Sequence, residues 1–169
     1  MKITLDKDIF LSKLITANKF VSNKLNAVNA LQGVYLSFEE KKLHLYATDL
    51  TTYYHTVIQA EVQPEEHGII IEPRKIIEFI QLLQPGMIEI SITDNQVQIM
   101  QQKTKGNFPV ISSEEFPLPP DLQEEEHTLS SKFLVESLPF ILFTASSDDS
   151  RPVLTGINFV VSDDELIIV

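Results

Sequence analysis

The spacing of apolar residues predicts a strand followed by a helix at the start of the chain. Apolar and polar residues alternate in "KITLD" at residues 2–6, which is the period of a strand. The next apolar residues recur every three or four positions, as in an amphipathic helix. They are Phe10, Leu14, Ala17 and Val21. We expect Asp8 to cap this helix and the helix to extend to about Lys24.

Further along, the pattern predicts strands interrupted by one more helix. Pro73 is well placed in the first turn of this helix, which we expect to end at Pro85-Gly86. Its predicted buried residues are Ile76, Ile77, Phe79, Ile80 and Leu83. Strands are predicted over residues 31–38, 42–48 and 52–62 and over the segments "MIEISIT", "QVQIM" and "NFPVI".

The whole pattern then restarts with a shift of 123 residues and no gap. The matched pairs include Phe10 with Phe133, Leu31 with Leu154, Gly33 with Gly156, and Leu36 with Phe159. This period is too long for a solenoid and indicates a duplicated domain. We expect a first domain at 1–120, an acidic linker at 121–127 and a truncated second copy at 128–169. A half-copy leaves strand edges and an apolar helix face uncovered, so we expect the chain to be a fragment of a longer protein.

The composition of the chain limits the kinds of site and partner that it can have. The chain has no cysteine, which excludes disulfides and thiolate metal sites, and no apolar run of membrane-spanning length, so a cytoplasmic location is expected. The net charge of −11 argues against nucleic acid as a partner, but the charge is uneven. Residues 1–38 carry five lysines against Asp6 and Asp8, a balance of +3, while residues 39–169 carry −14. One surface of an acidic protein is therefore expected to be positive, unless the clustering arose by chance.

Several segments, taken together, point to a known family. They are the opening helix, "LHLYATDL" at 43–50, "PRK" at 73–75, "EEFPLP" at 114–119 and "SRPVLTGINF" at 150–159. Over all of residues 1–169, in order, the chain resembles the bacterial sliding clamp family, the β subunit of DNA polymerase III. "SRPVLTG" is the most specific of these segments, and "PRK" alone would be weak.

The resemblance implies a fold and a function. The fold is an α+β DNA clamp with three copies of one domain per subunit, of which this chain would hold the first and the start of the second, the third being absent. Two subunits join head to tail in a ring around duplex DNA, with helices lining the hole and antiparallel sheets outside. The implied function is that of a processivity factor, a non-catalytic subunit that tethers DNA polymerase III and other clamp-binding proteins. The clamp loader is an implied partner, and no cofactor, metal or membrane is implied.

The resemblance also implies a set of DNA-binding positions. Lys24 and Arg74 match basic positions that contact DNA in the family, although each is also explained as a solvated surface residue near a helix end. A loop of the second domain that touches DNA in the family contains Asp148, Arg151, Pro152 and Val153. This sequence departs from some members there, which carry an amide in place of Asp148 and aromatic residues at the two positions after Arg151.

An aspartate repels phosphate, so a direct contact from Asp148 is in doubt. Arg151 either compensates or pairs with Asp148 or Asp149. Pro152 is predicted to start the following strand, where a missing N–H is tolerated.

Two protein-binding regions are implied as well. Leu154 matches one wall of the family's cleft for partner peptides, or is a core leucine equivalent to Leu31. The family's subunit interface falls on four residues of the first domain: Lys75, Phe79, Phe108 and Val110. The alternative is that the two phenylalanines belong to the domain's own core.

Two other function classes compete with the clamp. An enzyme is not favoured, because the four histidines are scattered and neither a metal-ligand spacing nor a nucleophile elbow is present. His44 and His55 are expected on the solvent side of strands. A DNA-independent adaptor that binds partners by strand addition is the alternative, since a half-copy offers free strand edges.

Overall fold

The computed structural model describes residues 2–22, 28–39, 41–62, 68–93, 95–111, 116–120, 130–148, 150–161 and 165–169, giving only the backbone of 61 and 62. Contacts divide the chain into unit 1 (Met1–Pro120) and unit 2 (Asp121–Val169). Lys24, Asp149 and the predicted linker at 121–127 lie outside the described residues.

Unit 1 consists of nine strands and two α-helices in the described part of the chain. The elements are β1 (Lys2–Asp6), α1 (Lys7–Ala17), β2 (Val34–Glu39), β3 (Lys42–Thr48), β4 (Tyr53–Gln59), β5 (Glu61–Val62), β6 (Ile69–Ile71), α2 (Pro73–Gln81), β7 (Met87–Thr93), β8 (Gln96–Gln101) and β9 (Thr104–Ile111). A 3-10 helix, Asn29–Gln32, precedes β2.

These strands form one sheet in the order β4-β3-β2-β6-β9-β8-β7-β1-β5, and every pair is antiparallel. β9 pairs with β8 over most of its length and with β6 at its end. β5 follows β4 after a single residue, Ala60, and pairs with β1. β9 therefore bridges β8 and β6 within the sheet. The chain also passes, through Ala60, from β4 at one edge of the strand order to β5 at the other.

Unit 1 repeats one motif of strand, helix and three strands. The first half is β1, α1, β2, β3 and β4, and the second is β6, α2, β7, β8 and β9. The pairings are reciprocal: β1 pairs with β7 of the second half, and β6 pairs with β2 of the first. The two helices pack against each other. Each half therefore supplies a strand that pairs with a strand of the other half, and α1 packs on strands of its own half as well as on α2.

The core lies between the helices and the sheet. All four apolar positions predicted for the first helix are buried: Phe10, Leu14, Ala17 and Val21. Of the residues predicted to be buried by the second helix, Ile76 and Ile80 are buried in α2 and Leu83 is buried just after it, whereas Ile77 and Phe79 are only partly buried. Alternating strand positions complete the core, as in β2, where Val34, Leu36 and Phe38 are buried.

The predicted cap and length of the first helix were wrong. Asp6 is the N-cap, and its Oδ1 accepts hydrogen bonds from the backbone N–H groups of Asp8 and Ile9, both at 2.9 Å. The helix ends at Ala17, although Val21 is buried beyond it. Apolar spacing continued past the helix because the following turns pack onto the same core.

Other predicted boundaries moved by a few residues. The strand predicted from residue 31 begins at Val34, because residues 29–32 form the 3-10 helix. α2 has proline in its first turn as predicted but ends at Gln81, before the predicted stop at Pro85-Gly86. Gly86 lies in the left-handed region, with φ of +123°, a conformation that favours glycine.

Two short helices and a hairpin are formed by the residues of unit 2 that the structure describes. Its elements are α3 (Ser131–Ser137), α4 (Pro139–Leu142), a 3-10 helix at Pro152–Leu154, β10 (Phe159–Val161) and β11 (Leu166–Ile168). The hairpin pairs Phe159 with Ile168, and β2 and β3 pair Leu36 with Leu45, so the register is the same after a shift of 123 residues. The 3-10 helices coincide under the same shift. From residue 130 onward, the described part of unit 2 thus follows the fold of unit 1 from α1 to β3.

In the described residues of both units, no helix is long and apolar enough to cross a membrane.

Candidate nucleic-acid interface

Basic residues lie on the solvent side of α1 and α2 and in the turn after α1. Lys13 is half-exposed in α1, Lys19 is exposed in the turn after it, and Arg74 is exposed in the first turn of α2. Within the described residues, neither Lys13 nor Lys19 forms an ion pair. Ile9 to Phe38 contain no acidic residue. No acidic side chain of the described residues therefore offsets the positive charge of these two lysines.

Two other lysines of these helices, Lys7 and Lys75, already have acidic partners. Lys7 is buried; its Nζ lies 2.8 Å from Asp8 Oδ1 and donates a hydrogen bond to the Leu83 carbonyl at 3.4 Å. Lys75 Nζ lies 2.9 Å from Glu72 Oε2, and most of its side chain is exposed. An exposed pair of this kind is weak, so Lys75 remains able to exchange its partner.

The structure places only part of the predicted DNA-binding set. Arg74 is exposed and takes part in a further interaction, so it is not free of partners. Lys24 lies outside the described residues. Lys13 and Lys19 were not predicted as binding residues. The signal for them was the acid-free stretch that contains both.

The predicted loop of unit 2 is ordered by local hydrogen bonds. Asp148 Oδ1 accepts a hydrogen bond from Ser150 N at 2.9 Å, and Ser146 Oγ accepts one from Asp148 N at 3.0 Å. The hydrogen bonds from Ser150 lower the pKa of the Asp148 carboxyl, so it stays charged at neutral pH. Of the two predicted ways of offsetting this charge, an Arg151–Asp148 ion pair is not formed among the described residues. Arg151 is exposed.

Pro152 does not start a strand, which corrects the prediction. It begins the 3-10 helix Pro152–Leu154, and the strand starts at Phe159. Proline suits the first position of such a helix because its missing N–H would be unpaired there in any case. Val153 and Leu154 in the same turn are exposed.

The residues predicted for a subunit interface lie on α2 and β9. The Phe79 and Phe108 rings meet edge to face, with centroids 5.5 Å apart. Both rings and Val110 are partly buried and pack against the core. A Cβ added at Gly106 would lie 3.0 Å from both rings, so glycine makes room for the pair. Phe79 and Phe108 therefore lie at the edge of the core, and each ring keeps part of its surface exposed to solvent.

Two histidines form a hydrogen-bonded pair on the sheet. The prediction that His44 and His55 lie in strands is confirmed. Their rings are hydrogen-bonded to each other, with His44 Nδ1 3.0 Å from His55 Nε2. Tyr46 stacks on His55 with a centroid distance of 4.3 Å. Burial, followed by the nearby His44, lowers the pKa of His55, while Glu39 opposes the shift. No group of three metal-ligating side chains occurs among the residues described.

The lowered pKa of His55 predicts a loss of stability in mild acid. The unfolded chain binds the proton at a pH of about 6.5, where the folded chain does not, so the free energy of unfolding falls as pH drops below that value. We expect His55→Gln to flatten this fall. Urea unfolding of both proteins at several pH values checks it, because all other titrating groups are shared. Parallel pH profiles for the two proteins would contradict the assignment.

Comparison with known proteins identifies the family. The family model of the DNA polymerase III beta subunit, N-terminal domain, matches residues 1–120. The beta sliding clamp of Halalkalibacterium halodurans is 27% identical over 173 residues, which cover 96% of this chain and 45% of the relative. The chain therefore spans about half the length of the curated relatives it matches.

Solved structures confirm the fold. The beta subunit of DNA polymerase III from Pseudomonas aeruginosa has a TM-score of 0.88 at 19% identity, covering 98% of this chain and 45% of that one. The Helicobacter pylori beta clamp bound to a DNA ligase peptide has a TM-score of 0.81 at 23% identity, covering 94% and 44%. The predicted α+β clamp fold is thus confirmed, and the chain belongs to the family of the DNA polymerase III beta subunit, whose N-terminal domain corresponds to residues 1–120.

Proposed function

We propose that the chain forms the first domain and the start of the second domain of a ring-shaped sliding clamp, a processivity factor that encircles duplex DNA in the cytoplasm. The observation that carries the proposal is the helix pair of unit 1, whose solvent side presents Lys13, Lys19 and Arg74. These side chains attract phosphate without reading bases, which suits a protein that slides. The acidic remainder of the chain repels DNA from other surfaces.

The role is one of binding, with no catalytic step. Lys24 and the loop of Asp148, Arg151, Pro152 and Val153 extend the DNA surface. Leu154 contributes to a cleft for partner peptides, and DNA polymerase III and the clamp loader are the partners proposed for the complete ring. Lys75, Phe79, Phe108 and Val110 form this chain's side of a head-to-tail subunit interface. The partly exposed ring pair of Phe79 and Phe108 supports that assignment, since aromatic residues are enriched in interfaces.

A DNA-independent adaptor is the competing function. The hairpin of unit 2 favours it, because in the described residues β10 pairs with β11 alone and leaves a strand edge open. The two functions differ in whether the helix face of unit 1 binds duplex DNA.

Removal of the three basic side chains tests the clamp proposal. In the variant Lys13→Ala/Lys19→Ala/Arg74→Ala, we expect the affinity for a random-sequence duplex to fall about tenfold per residue at about 50 mM salt. The slope of log K against log salt should decrease by about 1 for each phosphate that no longer has a basic partner. Fluorescence anisotropy of a labelled duplex, recorded from about 50 to 200 mM salt, measures both quantities.

A matched variant keeps the change in net charge the same. Lys41→Ala/Lys42→Ala/Lys105→Ala removes three exposed lysines from the strands and turns of unit 1. We expect this variant to bind DNA nearly as well as the parent. An equal loss of affinity in both variants would show that only overall charge matters. Absence of DNA binding by the parent chain would favour the adaptor.

A further inference from the structure

The solvent side of α2 carries a carboxylate at its centre. The residues buried beneath this helix are Pro73, Ile76 and Ile80. By the helical repeat, Glu78 lies on the side opposite to them, and it is exposed. Arg74, one of the basic residues proposed to bind DNA, comes four positions earlier, so the two side chains are neighbours on one side of the helix. Glu78 therefore belongs to the surface proposed to meet duplex DNA.

The charge of Glu78 is not offset by an ion pair within the described residues. Other acidic side chains at these helices do have cationic partners. Asp8 Oδ1 lies 2.8 Å from Lys7 Nζ, and Glu72 Oε2 lies 2.9 Å from Lys75 Nζ. Glu78 thus presents an unpaired negative charge to solvent in the described part of the chain.

The position of Glu78 does not favour the stability of α2. The helix dipole stabilises acidic residues in the first turn and basic residues in the last turn. α2 has neither; instead it has Arg74 and Lys75 in the first turn and Glu78 in the last. At a spacing of four residues, an acid before a base is also the better order, and Arg74 and Glu78 have the reverse order. The stability of the helix therefore does not explain why these charges are where they are.

A carboxylate on this side of α2 repels the phosphates that the basic side chains attract. In water, two unit charges about 7 Å apart interact strongly enough to change a binding constant about threefold. The repulsion fades over a Debye length of about 10 Å at 0.1 M salt, so it acts on the nearest phosphates alone. A protein that slides has to leave each phosphate easily, and a fixed anion beside the cations makes the attraction weaker.

We propose that Glu78 limits the strength of DNA binding by the helices of unit 1 and thereby keeps the clamp mobile on the duplex. This inference rests on the proposed function, because it requires that α1 and α2 face DNA. Lys13, Lys19 and Arg74 attract the phosphate backbone, and Glu78 repels it from the same helix as Arg74. The affinity is set by the difference between the two effects and not by the number of basic residues alone.

Fluorescence anisotropy of a labelled random-sequence duplex tests the proposal on the full 169-residue chain. In Glu78→Gln, which keeps the size of the side chain, we expect the affinity to rise about threefold at about 50 mM salt. The gain should shrink toward about 200 mM salt, because salt screens the repulsion. Glu78→Lys adds a phosphate contact, so the slope of log K against log salt should steepen by about 1. Glu78→Asp keeps the charge and should bind like the parent.

A matched control removes the same charge from another surface. Glu39 ends β2 and alternates with the buried positions of that strand, so it lies on the sheet face away from the helices. Its side chain is 68% exposed. Glu39→Gln should leave the affinity for the duplex unchanged. An equal gain in Glu39→Gln and Glu78→Gln would overturn the proposal, since overall charge would then account for both.

Folding and a second background make the test specific. Glu78→Gln removes an unfavourable interaction with the helix dipole, so its urea midpoint should not fall below that of the parent. The gain in affinity should persist in an Arg74→Ala background, because the carboxylate acts on phosphate. Loss of the gain in that background would show that Glu78 acts by holding Arg74, and would overturn the proposal.

Failure of this inference and failure of the proposed function give different results. If the parent binds the duplex and Glu78→Gln binds it equally well, the inference is wrong and the proposed function stands. If neither the parent nor Glu78→Lys binds the duplex, the proposed function is wrong, and the inference is wrong with it.

Discussion

Gly33→Ala is expected to lower the free energy of unfolding of unit 1 by about 3 kcal/mol, a value at the upper end for overpacking. The φ angle of Gly33 is −122°, which alanine adopts without strain, so the loss of stability comes from packing alone. An added Cβ would meet the Ile70 Cγ2 atom and lie 2.8 Å from the Ile71 carbonyl oxygen. β2 and β6 are paired at this point, so neither strand moves away without breaking the ladder.

Urea unfolding followed by tyrosine fluorescence measures this loss of stability. All four tyrosines lie in unit 1 and the chain has no tryptophan, so the signal reports on that unit alone. The control is Gly156→Ala, the same change at the corresponding position of unit 2, where nothing lies within 4 Å. In the control, the urea midpoint of the tyrosine transition should equal that of the parent. A Gly33→Ala transition within about 0.5 kcal/mol of the parent would show that the two strands do not pack as closely as described.

Phe10→Ala is expected to cost about 4 kcal/mol of the stability of unit 1. Phe10 is 1% exposed and belongs to the large core cluster between the helices and the sheet. Truncation of a buried phenylalanine removes its transfer free energy and leaves a cavity, which together cost about 3–5 kcal/mol. Because a domain of this size is stable by only about 5–15 kcal/mol, much of unit 1 should unfold at moderate temperature.

The corresponding change in unit 2 provides the comparison. Phe133→Ala alters a side chain that is 38% exposed, so the tyrosine transition of unit 1 should not shift. A thermal scan of both variants, read at the tyrosines, separates them. If Phe10→Ala melted within a few degrees of the parent, the first helix would not anchor the core.

Sequence periodicity predicted most of the helices and strands because most apolar positions face one core, whereas the clamp fold was implied by the family resemblance. The strands β2, β3, β4, β7, β8 and β9 and the helix at Pro73 lie where alternation and helical spacing predicted them, with shifts of a few residues. β5 falls within the single strand predicted over residues 52–62, and β6 was not predicted as a strand. The cap was missed because Asp6 and Asp8 are both good capping residues, and only the geometry distinguishes the one that reaches two backbone N–H groups. The helix was predicted too long because Val21 packs on the core from a turn.

The proposed binding surface was less accessible to sequence reasoning. Lys13 and Lys19 qualify because the fold leaves them facing solvent without an ion pair among the described residues, a property that composition does not reveal. Pro152 was assigned to a strand because proline is tolerated at strand starts and in first helical turns alike. The pairing of His44 with His55 follows from the β3–β4 register, which a single sequence does not specify.

The reciprocal pairing of the two halves has a consequence for synthesis on the ribosome. Ile3 in β1 pairs with Ile90 in β7, so the first strand cannot complete its sheet until nearly a hundred residues have emerged. Contacts between residues this distant in sequence slow folding, because a long loop must close before they form. α1 also packs on α2, so that side of α1 stays uncovered until α2 has emerged. We expect unit 1 to fold late and in one cooperative step, with nascent chains that stop before β7 prone to aggregate.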